Sequence, residues 1–230
     1  MRKLLTGAAG TLVVLAIAIP ALAATQATDF TAKLTSKNTS SSAGLDFSVK
    51  FTDDDGGKPE GLKRFTLTLP KGGKFDLRAA PKCVATAEEA EQLKPCPAKT
   101  QIGAGEATAT SDGTNRVKVT SKLYNVKPLK KPKDPSSGEI LFIFELGGEP
   151  VTGFAAVAKG RTLKSPALAD FPLDFVVTDF EGAIEKNKKG KRVFITTPDT
   201  CPKSGKWEIK ATFKFPSGTS KPVVKTPCKR

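Results

Sequence analysis

From residue 30 onward the chain alternates apolar and polar side chains with period two, and this alternation restricts the fold more than any other feature. Phe30, Ala32 and Leu34 alternate with Thr31, Lys33 and Thr35, and Leu45, Phe47, Val49 and Phe51 with Asp46, Ser48, Lys50 and Thr52. Phe65, Leu67 and Leu69 repeat the pattern, as do Val117 and Val119. The longest case is Trp207, Ile209, Ala211, Phe213 and Phe215 against Lys206, Glu208, Lys210, Thr212 and Lys214. Successive side chains of a strand point to opposite faces, so each run predicts a strand with one buried face and one wet face. Ile140 to Phe144 and Phe175 to Val177 are continuously apolar and predict central strands. Turn chemistry punctuates the runs at Asp55-Gly56-Gly57, Asp112-Gly113, Ser137-Gly138, Gly147-Gly148 and Pro216-Ser217-Gly218.

About ten strands at short intervals predict an all-β domain, specifically a β-sandwich, with the immunoglobulin-like arrangement as one form of it. The last hairpin is expected over roughly 206–215 and 220–226. One helical exception is expected. Thr86-Ala87-Glu88-Glu89 has the form of a capping box, and Ala90, Glu91, Gln92 and Leu93 continue it between Cys83 and Cys96. The prolines of Lys127 to Pro135 resist both helix and central strand, which predicts a flexible loop. The domain reading is therefore 24–230 as one unit, with a subdivision near 127–138 as the alternative.

The first 23 residues read as an export signal. Arg2 and Lys3 precede an uncharged apolar stretch from Leu4 to Ile19, then Pro20 and the small-residue site Ala21-Leu22-Ala23. Cleavage there removes two cations and no acid, taking the formal charge from +14 to +12. No later stretch approaches the roughly 18 apolar residues of a spanning helix, so no transmembrane segment is expected in the mature chain. The expected location is secreted, either extracellular or attached to the cell envelope.

Four cysteines in an exported chain predict disulfides, and four allow three connectivities. The favoured pairing is local, Cys83 with Cys96 and Cys201 with Cys228, each flanking one recognisable unit. Neither zinc nor redox chemistry has its close C-x-x-C spacing here. The chain contains no histidine, which excludes Ser-His-Asp triads, Cys-His dyads and imidazole metal sites.

Two stretches carry a resemblance. Pro81-Lys82-Cys83, then Pro95-Cys96-Pro97 leading into Ile102-Gly103-Ala104-Gly105, form one. Thr197-Pro198-Asp199-Thr200-Cys201-Pro202 with Ser204-Gly205-Lys206-Trp207 and the closing Pro227-Cys228 form the other. Together they resemble a family of uncharacterised exported actinobacterial β-rich proteins with paired Cys-Pro motifs. The resemblance implies export and β-rich architecture, and it transfers no catalytic residue.

Several constellations bear on chemistry. Asp53-Asp54-Asp55 with Gly56-Gly57 is the nearest approach to a calcium loop, but it lacks the later ligands of an EF-hand and reads as a hairpin turn. Paired carboxylates hydrolyse glycosides without histidine, and Asp174, Asp179, Glu181 and Glu185 are candidates for a carbohydrate-active alternative. Ser121-Lys122 and Ser36-Lys37 are sequence neighbours, which strand geometry sends to opposite faces. Trp207 falls on an apolar side and is expected to be buried.

The basic surplus gives the strongest functional expectation. Lys127, Lys130, Lys131 and Lys133 form one cluster, and Lys186, Lys188, Lys189, Lys191 and Arg192 a second. Lys206, Lys210 and Lys214 would line one outward strand face. Such a field attracts anionic wall polymers or a membrane surface, whereas the aromatic interleaving of single-strand nucleic-acid binders is missing. The reading is a non-enzymatic exported protein without a cofactor, contacting anionic polymers through its lysines, with a passive structural domain as the third alternative.

Overall fold

The computed structural model describes residues 26–84, 96–128, 132–168 and 175–229. Among these residues there is no α-helix, only two single-turn 3₁₀ segments, Leu77–Ala79 and Ala98–Thr100. The expected signal peptide and the capping-box helix at 86–93 lie outside the described residues.

One antiparallel sheet dominates. Its hydrogen-bonded order begins with β1 (Gln26–Leu34), β3 (Leu45–Thr52), β11 (Val176–Ile184), β6 (Gln101–Thr110) and β7 (Arg116–Val126). It continues through β8 (Gly138–Leu146), β9 (Glu149–Lys159), β10 (Thr162–Lys164), β4 (Arg64–Thr68), β15 (Lys206–Lys214) and β16 (Thr219–Ser220). The strand β17 (Val223–Pro227) pairs with β15 beside β16. The sheet curls until β1 packs against β15, β16 and β17. At the seam the Lys229 amide donates to the Lys37 carbonyl, 2.7 Å away, in an isolated bridge between Asn38 and Lys229. In place of the two stacked sheets expected from the alternation, the strands therefore form one nearly closed barrel-like sheet. Period two specifies a wet face and a dry face; it does not specify whether the dry face meets a second sheet or its own far side.

The register fixes two ends. At one end lie Leu34, Leu45, Ile184, Gln101, Val126, Gly138 and Lys206, and at the other lie Gln26, Thr52, Thr110, Arg116, Leu146 and Lys214. A small sheet of β2 (Ser42–Ala43), β14 (Ile195–Thr196) and β5 (Lys74–Phe75) closes the first end. Its Phe75 joins Phe194, Leu45, Ile102, Leu123 and Ile140 in a fully buried plug. Trp207 is buried in the same core, as expected, and its indole N–H donates to the Thr200 carbonyl at 2.8 Å. A two-residue hairpin, Gly147-Gly148, joins β8 to β9 at the other end. Both glycines have positive φ, 63° and 90°, a backbone that side-chain-bearing residues resist.

Outward positions are mostly polar or charged, but β8 is buried on both faces, as its continuous apolarity predicts. Outside the barrel Leu141 and Ile143 pack with Tyr124, Val126, Cys83 and Cys96 in a second cluster. Both disulfides form in the favoured local pairing, Cys83–Cys96 and Cys201–Cys228, with Cα separations of 5.5 and 5.8 Å. The stretch near 127–138 connects β7 to β8, which pair directly. No helix among the described residues is long and apolar enough to cross a membrane.

Candidate functional site: an apolar cavity and a basic closed end

The interior is packed at the closed end and hollow at the other. A cavity of about 920 Å³ is lined by inward residues of β1, β3, β4, β8, β9, β10, β11 and β15, and by the segments 58–63 and 166–168. Ten phenylalanines among the described residues reach it. The exposed residues Ser111, Pro166, Ala167 and Pro216 also border it, which places the mouth at the end opposite the small sheet.

The phenylalanines form two connected chains of ring contacts. Phe142 and Phe154 are direct cross-strand partners and stack with centroids 5.0 Å apart. Phe65 meets both edge-on, while Phe144 continues the chain to Phe180, which packs on Phe47 at 5.5 Å. Phe213 bridges the seam, contacting Phe30 at 5.9 Å and Phe51 at 5.3 Å. Edge and offset contacts of this kind add about 0.5–1.5 kcal/mol each beyond burial. A bulge between Val177 and Asp179 reverses the phase of β11, so that Phe180 and Gly182 turn inward while Asp179 and Glu181 turn outward. The rings of Phe47 and Phe180 lie over Gly182, where an added Cβ would sit 3.1–3.3 Å from their carbons.

Three of the candidate carboxylates, Asp179, Glu181 and Glu185, stand outside this cavity. Asp179 accepts from the Thr178 hydroxyl at 2.8 Å and pairs with Arg116 at 3.8 Å. Glu181 is exposed and directly opposite Glu106 across β11 and β6, both bordering a shallow outer groove, with Lys118 3.6 Å from Glu106. Glu185 is exposed just past β11, and Asp174 lies outside the described residues. Ser121 and Lys122 point to opposite faces, the serine buried and the ammonium 2.8 Å from Glu145. That contact raises the Lys122 pKa above its ordinary value. The Ser36 hydroxyl instead accepts from the Asn38 amide. In the acidic loop, Asp53 closes a turn with Gly56, and Asp54 accepts from Gln26. No group of three or more potential metal ligands gathers among the described residues.

The lysine clusters converge. Lys186 to Arg192 run into the hairpin of β12 (Lys188–Lys189) and β13 (Arg192–Val193), which packs on the 3₁₀ segment Leu77–Ala79. The connection after Lys127 returns to the same segment, where the Ser136 carbonyl accepts from Leu77. Lys127, Lys133, Lys186, Lys188, Lys189, Lys191 and Arg192 are all exposed around the closed end, whereas Lys130 and Lys131 lie outside the described residues. Asp76, held beside them by Arg78 at 2.7 Å, has its pKa lowered first by that hydrogen bond. Lys206, Lys210 and Lys214 line the outer face of β15 as expected.

The cavity was not legible as a site. Phenylalanine at alternating positions has the same signature whether it fills a core or lines a space, and only the strand register brings these rings to one end.

No protein-family profile matches the chain, and no curated protein matches it. Among solved structures the chain is similar to BslA, described as a bacterial hydrophobin, at 11% identity and a TM-score of 0.32, covering 87% of this chain and 98% of that one. At that distance the likeness bears on neither fold nor activity.

Proposed function

We propose that this is an exported, non-enzymatic binding protein of the extracellular space or cell envelope that holds an apolar molecule inside its barrel. The observation that carries the reading is the phenylalanine-lined cavity open at one end of a plugged barrel. Its size falls near the upper end of the about 300–1,000 Å³ typical of small-molecule sites. Two disulfides and the N-terminal export pattern support an oxidising compartment outside the cytoplasm. Of the carboxylates of the carbohydrate-active alternative, Asp179 and Glu181 stand on the outer face, away from the cavity.

Apolar burial sets the expected ligand: acyl chains or other hydrocarbon-rich molecules, with affinity rising by about 0.8 kcal/mol for each methylene brought out of water until the cavity is filled. The test is titration with a fluorescent long-chain fatty acid and with its uncharged ester. Saturable 1:1 binding of both is expected. Two lining substitutions, Ala211→Phe and Val177→Trp, add bulk from different walls and should weaken binding more than tenfold while the folded spectrum persists. A probe that fails to bind, or that binds the folded variants as tightly as the parent, overturns the reading.

A further inference from the structure

The chain's positive charge is distributed along the barrel axis, and the register shows how. Around the closed end the hairpin 186–192 is joined by Lys127 and Lys133, by Lys71 and Lys74 beside β5, and by Lys159 and Arg161 at the β9–β10 turn. All of these side chains are exposed. The β9–β10 turn belongs to the same cap, since the Gly160 carbonyl accepts from Phe75 at 2.7 Å. The described acids here are few. Asp76 is engaged by Arg78, Asp134 accepts from Ser136 and Ser137, Asp46 pairs with Lys33, and Glu139, Glu185 and Asp199 lie at the same end. At the mouth the balance differs: Asp53, Asp54, Asp55, Glu60, Asp112 and Glu149 offset Lys58, Lys63, Arg64, Arg116 and Lys214. The barrel is electrically polarised, with an excess of cations over acids at the plugged end.

We propose that the closed end is a docking surface for an anionic lipid bilayer, so that the docked molecule turns its cavity mouth away from the membrane. Charge complementarity supplies the attraction. The geometry favours a plane over a strand of polymer, because the cations sit on separate turns that surround the end of the barrel and do not follow one line. A flat surface meets several of these turns at once. The contacting groups are mainly lysines, whose ammonium groups act as point charges and suit a headgroup layer without fixed bidentate geometry. This proposal is independent of what the cavity holds.

The test is co-sedimentation of the oxidised protein with vesicles of phosphatidylcholine alone and with phosphatidylglycerol added. Binding only to the anionic vesicles is expected, weakening more than tenfold as salt rises from about 0.05 to about 0.5 M. The variant Lys188→Gln, Lys189→Gln, Lys191→Gln, Arg192→Gln should lose more than tenfold in partitioning at low salt. A control removing the same number of charges from the barrel wall and mouth side, Lys50→Gln, Lys164→Gln, Lys210→Gln, Lys214→Gln, should change it less than threefold. If the hairpin variant does not fold, Lys127→Gln with Lys133→Gln replaces it, with a smaller loss expected. Equal losses in cap and control variants would reduce the effect to net charge and overturn the proposal. So would failure to bind anionic vesicles at low salt, including the case in which soluble polyphosphate binds and vesicles do not.

Discussion

The side-chain amide of Asn125, fully buried on β7, donates to the Leu77 carbonyl at 2.9 Å and to the Ala80 carbonyl at 3.3 Å. The backbone carbonyl of Asn125 in turn accepts from the Cys83 amide at 2.8 Å, so one strand residue secures the whole run from the plug to the first disulfide. Buried acceptors left without donors cost about 1–3 kcal/mol, and Asn125→Ala should lower stability by that amount. Asn125→Asp should cost more, because a carboxylate would face two carbonyl oxygens. Urea denaturation of both variants checks this; a loss below about 0.5 kcal/mol for Asn125→Ala would show the run to be held by other contacts.

The two cross-links should separate in their effects. Replacing Cys201 and Cys228 by serine opens a loop of sequence separation 27 and should cost about 3–4 kcal/mol; replacing Cys83 and Cys96 opens one of 13 and should cost about 3 kcal/mol. Because Cys83 and Cys96 pack on the outside of β7 and β8, their removal should leave the affinity of the apolar probe within threefold of the parent. Denaturation curves and probe titrations on the two double variants test both statements.

Glu106 and Glu181 face each other across two strands, an arrangement that costs rather than gains. Relieving it with Glu181→Gln should stabilise the protein by about 0.2–1 kcal/mol, with the gain shrinking in high salt. Loss of stability in Glu181→Gln at low salt would mean that this carboxylate has a favourable partner.

Asp112 shapes the β6–β7 turn. Its carboxylate accepts from the Asn115 and Thr114 amides at 2.7 and 2.8 Å, and from the Asn115 side chain at 2.6 Å. These bonds, with the Asn115 backbone amide first, lower its pKa from 3.8 to about 2. The folded value lies below the unfolded one, so the contribution to stability is present above pH 3.8 and fades as pH falls toward about 2. Thermal midpoints of parent and Asp112→Ala should therefore differ at neutral pH and converge in that acid window. A gap that stays constant down to pH 2 would rule out the ionised turn.

Much of the wall was readable before the fold was known. The alternation of Trp207, Ile209, Ala211 and Phe213 against Lys206, Glu208, Lys210 and Thr212 located β15 and its buried face, and the apolar run 140–144 marked a doubly covered strand. Local cysteine spacing gave both bridges. What escaped was global. The curling of one sheet onto itself depends on pairings such as β11 with β3, far apart in sequence, and no local pattern encodes them. The bulge after Val177 likewise reverses β11 without any break in composition that announces it. The cavity followed from both, since the same phenylalanines would have filled a sandwich.

The seam has a consequence for how the protein survives outside its native fold. Just past the ends of β1 and β17 the seam is joined by the bridge between Asn38 and Lys229, next to the Cys201–Cys228 cross-link. A sheet with two complete ladders around its rim hides its hydrogen-bonding groups; this one keeps them covered only while its last hairpin stays in place. Reduction would thus loosen the hairpin that covers the margin along β1 and β15.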